Sequence, residues 1–237
     1  MRLAVIGDVH HHMERLRRVL AHIDALGCDG VLQVGDIGGY ALGRRSPDRH
    51  PELVAEYQRS VDAVLDEIRK LGVPLFWVPG NHDVRGVAGR GNVETGLGEI
   101  GGLRIAGIGG AGPDRFGFPY EWEDNHIRQR VIPDCDVLLC HAPPANTPLD
   151  LVPHRNEHVG SWAIRELAER HRGVLVCGHI HESPGVVMLE ECLCLNAGGL
   201  GEPWGSPRVG FVEDLEFAWV EDLATGWRQE LQRTQRA

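Results

Sequence analysis

The chain has 237 residues, 42% of them hydrophobic and 24% charged, a balance that suits a globular fold rather than a disordered or fibrous one. A formal net charge of −10 argues against an extended footprint on duplex nucleic acid, which needs a basic face; small phosphates remain open, because bound cations can supply local positive charge. The six cysteines match no zinc-ribbon or CxxC spacing, the apolar start LAVIG is too short for a leader, and no run approaches the ~20 apolar residues of a membrane span. A cytoplasmic protein with reduced thiols and no membrane contact is the expectation.

In chain order, RLAVIGD reads as a strand and HMERLRRVLAHIDAL as a helix, with Met13, Leu16, Val19, Leu20 and Ile23 at helical spacing. VLQVGD is a second strand. PELVAEYQRSVDAVLDEIRKL is a second helix whose apolar residues fall on one stripe. LFWVPGNHD is a third strand, and the Gly-rich residues 84–102 read as an exposed loop. LRIAGIGG is short and apolar, and residues 121–132 suggest a helix. VLLCH and VLVCGH are strands on either side of the helix SWAIRELAERH, for which Ser161 is the expected N-cap. VVMLEECLCLNAGG and GFVEDLEFAWVE read as antiparallel strands, their apolar residues lining either the core or a homo-oligomer interface. RQELQRTQRA, residues 228–237, reads as a final helix or a frayed tail. Strands alternating with helices imply α/β layers around a parallel sheet, in one domain over residues 1–237.

Five of these strands end alike. LAVIG is followed by Asp8, VLQVG by Asp36, LFWVPG by Asn81, His82 and Asp83, VLLC by His141, and VLVCG by His179. In open α/β sheets the carboxyl edge of the strands is where ligands bind, so five strands can aim oxygen and nitrogen donors at one spot. Asp8, His10, Asp36, Asn81, His141, His179 and His181 give seven donors, enough for two metal ions sharing a carboxylate. Their mixture of carboxylate, amide and imidazole suits Mn, Fe, Zn, Co or Ni better than Ca or Mg alone. Two neighbouring metals are the usual device for in-line displacement at phosphorus.

DVH at 8–10, GD at 35–36, GNHD at 80–83, His141 and GHIH at 178–181, in that order, resemble the calcineurin-like metallophosphoesterase superfamily. The resemblance implies a four-layer αββα sandwich of mixed sheets with a dimetal site at the C-terminal strand ends. By position it assigns Asp8, His10, Asp36 and His181 to one ion and Asp36, Asn81, His141 and His179 to the other, with Asp36 bridging. Alternate residues share a face, so His179 and His181 can reach neighbouring ions from one short segment. The stretch from HAPPANTPLD to GHIHES resembles more narrowly the branch of class III cyclic-nucleotide phosphodiesterases and related small phosphodiesterases.

The chemistry implied is hydrolysis of a small phosphoester by a metal-bridging hydroxide, with two divalent or trivalent ions, Mn or Fe favoured. Asn81 and His82 would contact the substrate phosphate. The resemblance makes His82 the general acid, and Asp83 is the expected orienter of its imidazole. A diesterase is favoured over a phosphomonoesterase because protein phosphatases follow GD with an Asp and an Arg, and here the run is GDIGGYALG. A nuclease or a non-catalytic metal-binding scaffold ranks lower. His11 and His12 read as a polar helix start, and Cys192 and Cys194 as core residues. Asn146, Asp150, His154 and His158 lie in a loop able to reach substrate. Asn196 and Trp204 are weaker candidates, the latter for stacking on a base.

Overall fold

The computed structural model describes residues 1–40, 42–87, 89–201 and 203–233. In chain order the elements are β1 (Arg2–Ile6), α1 (Met13–Leu26), β2 (Gly30–Gln33), α2 (Pro51–Arg69), β3 (Leu75–Trp77), β4 (Gly98–Ile100), β5 (Leu103–Ile108), α3 (Asp124–Arg128), β6 (Val137–Cys140), β7 (Leu151–Val152), β8 (Glu157–His158), α4 (Trp162–Arg170), β9 (Val174–Cys177), β10 (Gly185–Leu189), β11 (Cys192–Asn196), β12 (Arg208–Glu213), β13 (Phe217–Asp222) and β14 (Arg228–Gln232). One six-stranded sheet runs β14-β13-β12-β1-β2-β3, the other β10-β11-β9-β6-β5-β4; β7 and β8 form a small separate ribbon. Both large sheets are mixed. Strands β1, β2 and β3 are parallel in the first, and β5, β6, β9 and β11 in the second.

Alternation along the central strands sorts their side chains into three apolar layers. Leu3 and Val5 of β1 meet Val137, Leu139, Val174 and Val176 of the opposite sheet in the middle layer. Ala4 and Ile6, one residue out of step, pack under Leu16, Val19 and Ile23 of α1 and Val61, Val64 and Ile68 of α2. On the far side Leu138, Cys140, Leu175 and Cys177 pack against Ile127 of α3 and Ala163, Ile164 and Ala168 of α4. The order is helices, sheet, sheet, helices, as the αββα expectation requires. Cys192 and Cys194 belong to the third layer, and all six cysteines are free thiols. Among the described residues no helix is long and apolar enough to cross a membrane.

Three readings are corrected in detail, and one alternative is resolved. Residues 84–102 are not loop throughout: Gly98–Ile100 pairs as β4 with β5, because Ile100 finds a buried place at the edge of the middle layer. The 121–132 helix shrinks to Asp124–Arg128, closed at its start by Glu123 and His126 bonding reciprocally to each other's backbone. Arg228–Gln232 is a strand, not a helix or tail, because β13 offers it an unpaired edge; residues 234–237 lie outside the described residues. Finally, Phe211, Val212, Ala218, Trp219 and Val220 of the C-terminal hairpin are buried within the chain itself, so they serve the core.

Candidate active site

The parallel strands of both sheets deliver their following residues to a common edge. Asp8 follows β1, Asp36 follows β2, and Asn81 to Asp83 follow β3. His141 comes directly after β6, and His179 and His181 follow β9. Asp8, His10, Asp36, Asn81 and His141 are buried almost completely. Four of the seven donors hold left-handed backbone: Asp8 (φ 29°), His10 (φ 45°), Asp36 (φ 49°) and His179 (φ 67°). For a residue with a side chain that conformation costs on the order of 1–3 kcal/mol, and it persists only where the surroundings over-determine it.

The first donor group is tight. Ligand atoms of Asp8, His10, Asp36 and His181 all lie within 4.8 Å of one another. His10 Nε2 is 3.4 Å from Asp36 Oδ2 and 3.4 Å from His181 Nε2, and His181 Nε2 is 3.3 Å from Asp8 Oδ1. Donors about 2.0–2.2 Å from a shared ion stand roughly 3.0–3.5 Å from each other, so these separations fit a transition metal. On the other side of Asp36, His141 Nε2 lies 3.6 Å from Asp36 Oδ1, and the His141 ring is 5.0 Å from that of His179. His141 Nδ1 donates to the Val34 carbonyl at 2.8 Å, and its Nε2 meets Asn81 Oδ1 at 2.9 Å. A second set of nitrogen and oxygen donors therefore stands beside the first, across Asp36. The residues fit two metal ions about Asp36.

Close backbone approach holds the donors in place. A Cβ on Gly80 would collide with the Asp36 carboxylate, and one on Gly178 with that of Asp8, so the residue before Asn81 and the residue before His179 have no room for a side chain. The His179 amide donates to both Asp8 oxygens at 3.0 and 2.9 Å, and the His82 amide to Asp36 Oδ1 at 2.9 Å. Asn196 is fully buried at the end of β11. Its amide donates to the carbonyls of Ile180 (3.1 Å) and Leu149 (3.0 Å), so it fixes the residue between the two histidines and touches no ligand.

Charge states suit the donor role. Burial lowers His10 to about 4 and His179 to about 3, so both imidazoles are neutral at physiological pH. Burial also lowers His181, but the charges of Asp8 and Asp36 outweigh it and raise that imidazole above its ordinary value. Burial opposes the Asp36 charge, yet the imidazoles of His141, His82, His10 and His179 hold its carboxyl well below the usual range.

The Asp83 expectation is corrected. Its buried carboxylate accepts from the backbone amides of Gly80 and Ile37, the latter at 3.2 and 3.3 Å, and so clasps the loops after β2 and β3 together. Burial and the neighbouring Asp36 charge push it up to about 7. The His82 ring lies elsewhere: it packs on Phe118 (centroids 4.2 Å) and edge-on to His10 (5.2 Å) and Tyr40 (5.5 Å), with Nδ1 buried and unpartnered. Its Nε2 is 4.0 Å from Asp36 Oδ2.

The donors form the floor of a cleft of about 870 Å³ whose walls include Tyr40, Phe116, Phe118, His154, His158 and Trp204. Tyr40 stacks on His10 at 4.3 Å. Neither Tyr40 nor Phe118 is among the residues the sequence reading selects; the aromatic in GDIGGY, four residues beyond a ligand, is the signal available to find the first. His11 and His12 do not line the cleft, and His12 caps α1 through its backbone only. Asn146 and Asp150 are likewise set back from its surface.

The order of metal-capable residues along five strand ends, and their convergence on Asp36, decides the family. The chain belongs to the calcineurin-like phosphoesterases. The model of that family matches residues 1–183. An uncharacterised protein of Methanocaldococcus jannaschii is 29% identical over 169 residues, covering 65% of this chain and 74% of that one. A dimetal phosphatase from Danio rerio shares the fold with a TM-score of 0.62 at 13% identity, covering 100% of this chain and 99% of the other. The protein TT1561 of Thermus thermophilus does so with 0.58 at 14%, covering 98% of each.

Two outcomes are expected of this phosphoesterase site. Because burial keeps His10 and His179 neutral while the charges of Asp8 and Asp36 raise His181, metal affinity should fall as pH drops through the range in which His181 takes up its proton, by up to about tenfold per unit for that one proton. A metal titration at several pH values checks this; an affinity independent of pH would show that His181 holds no proton in the free site. Asp83→Ala should destabilise the fold by about 1–3 kcal/mol for each amide it leaves unpaired. It should also leave the shape of the activity–pH profile unchanged. Loss of the acid limb without loss of melting temperature would restore Asp83 as the partner of His82.

Proposed function

We propose that this phosphoesterase is a dimetal hydrolase of small phosphodiesters, cyclic nucleotides among them, using Mn or Fe ions. The observation that carries the reading is the convergence of Asp8, His10, Asp36 and His181 within 4.8 Å, beside a second cluster in which His141 Nε2 meets Asn81 Oδ1 at 2.9 Å. Bound ions would supply Lewis acidity and an activated water nucleophile.

The remaining work falls to the chain. The Asn81 side chain and His82 stand at the cleft side of Asp36, where a phosphate would sit, and hold its oxygens as charge develops. His82 is assigned to protonating the leaving oxygen through Nε2. Phe118 and Tyr40 fix its ring plane by packing, in the place of a carboxylate partner. The preference for diesters is supported by the walls. Tyr40, Phe116, Phe118 and Trp204 offer apolar surface to organic groups on both ester oxygens, a use that a monoester has for only one. The Asp and Arg that follow GD in protein phosphatases are missing from GDIGGYALG.

His82→Ala should lower kcat by about 10²–10⁴-fold while metal content and melting temperature persist; loss of metal would make the residue structural. The substrate preference is tested by stripping metals, restoring Mn²⁺ and comparing kcat/KM for bis-p-nitrophenyl phosphate and p-nitrophenyl phosphate. The diester should be favoured. A preference for the monoester would identify a phosphatase, and no metal-dependent turnover of either would identify a scaffold.

A further inference from the structure

The mechanism leaves one well-built group in the cleft unused. His158, at the end of β8, lines the cleft with its side chain 41% exposed, whereas Asp150 behind it is fully buried. His158 Nδ1 donates to Asp150 Oδ1 at 2.6 Å. The carboxylate is held in turn by the amides of Asn146 (3.0 Å), Thr147 (2.8 Å) and Gly160 (2.9 Å). A carboxylate accepting from four donors is fixed in place, and it fixes the imidazole plane and tautomer. With Nδ1 so engaged, Nε2 is the ring nitrogen left for the cleft, and no partner bonds it among the described residues. A ring nitrogen held at a cleft wall pairs with a hydroxyl, which both donates and accepts.

The same ribbon carries a second feature. His154, between β7 and β8, stacks on Trp204 with ring centroids 5.5 Å apart and planes 24° apart. Trp204 also lines the cleft and leaves 52% of its surface exposed, although an indole so placed would ordinarily be covered. His154 is held from below by Glu182, its Nδ1 3.7 Å from Oε1, next to the ligand His181. An open indole face accepts a planar ring without selecting which one.

We propose that Trp204, His154 and His158 form a nucleoside subsite: the base stacks on Trp204 and a ribose hydroxyl hydrogen-bonds His158 Nε2, aligned by Asp150. This rests on the phosphodiesterase reading and narrows it to diesters with a ribonucleoside on one ester oxygen. Trp204 and His158 are positioning residues for the substituent that does not leave.

The test uses three diesters with one leaving group: the p-nitrophenyl esters of adenosine 5′-monophosphate, of its 2′,3′-dideoxy analogue and of methyl phosphate, with the Mn²⁺-loaded protein. The adenosine ester should exceed the dideoxy ester by about tenfold or more in kcat/KM, the difference lying in KM. His158→Ala should abolish that difference while leaving the methyl ester unchanged, and His158→Gln, which keeps a hydrogen-bonding group there, should restore part of it. Trp204→Ala should raise KM for both nucleoside esters by more than it does for the methyl ester. Metal content and melting temperature identify variants that have lost the fold. Equal turnover of the adenosine and dideoxy esters, or an equal loss on all three substrates in His158→Ala, would overturn the subsite while leaving the diesterase intact. Absence of turnover by the unmodified protein on every ester would overturn the reading beneath it.

Discussion

The arrangement at the strand ends depends on the burial of one carboxylate. Asp36 is 2% exposed, and its oxygens lie among His10, His141, His82 and the His82 amide. A lone buried carboxylate is costly, so a cluster of this kind exists only if enough positive or polarisable partners surround it. Here the partners come from both sheets: His10 from the loop after β1, His82 from the loop after β3, His141 from β6 across the middle layer. The Asp36 site is therefore also a fastening between the sheets, and the packing of Leu3, Val5, Leu139 and Val176 beneath it sets how closely the donors approach. Metal binding and folding are linked through that geometry, because the unfolded chain has no such cluster to offer.

Left-handed backbone at Asp8, His10, Asp36 and His179 is the second consequence. Strands β1, β2 and β9 end in turns tight enough to swing the next side chains back over the sheet edge. Glycine would adopt that turn freely, but glycine carries no donor. The chain instead accepts strain at the donors and puts its glycines beside them, where Gly80 and Gly178 let neighbouring carboxylates come close. The clasp made by Asp83, which joins the Gly80 and Ile37 amides, helps hold the strained loops in register.

This explains which parts are legible in the sequence. A short apolar strand followed by a donor is a local signal, and five such signals in order point to both the fold and the ligand set. The alternation that makes Val137 and Leu139 face one layer and Leu138 and Cys140 the other is equally local. Asp83 is hard to read because the obvious partner is its neighbour in sequence, whereas its bonds run partly to Ile37, forty-six residues away. Strands β4 and β14 escape a sequence reading because an edge strand with polar residues gains its stability from a neighbour's free edge more than from its own pattern. Tyr40 and Phe118 belong to no periodic pattern; they meet His10 and His82 only after the loops have folded over the floor.

The cleft thus divides by the kind of element that builds it. Its floor is made by the ends of buried parallel strands, whose positions are fixed by packing on both faces. A small shift there would break several contacts at once, so the phosphorus chemistry has little room to vary. Its walls are made by the segments that carry Tyr40, Phe116, Phe118, His154, His158 and Trp204, which lie outside the central strands of the two large sheets. Among them the Asp150–His158 pair stands apart: a wall residue anchored with the rigidity of the floor, through a buried carboxylate and three amides. Rigidity away from the reacting centre does nothing for the chemical step, but it is what discrimination between substrates requires, because a hydrogen bond selects only if its acceptor cannot follow the wrong ligand. The stiffest part of the wall is therefore where the choice of substrate should reside.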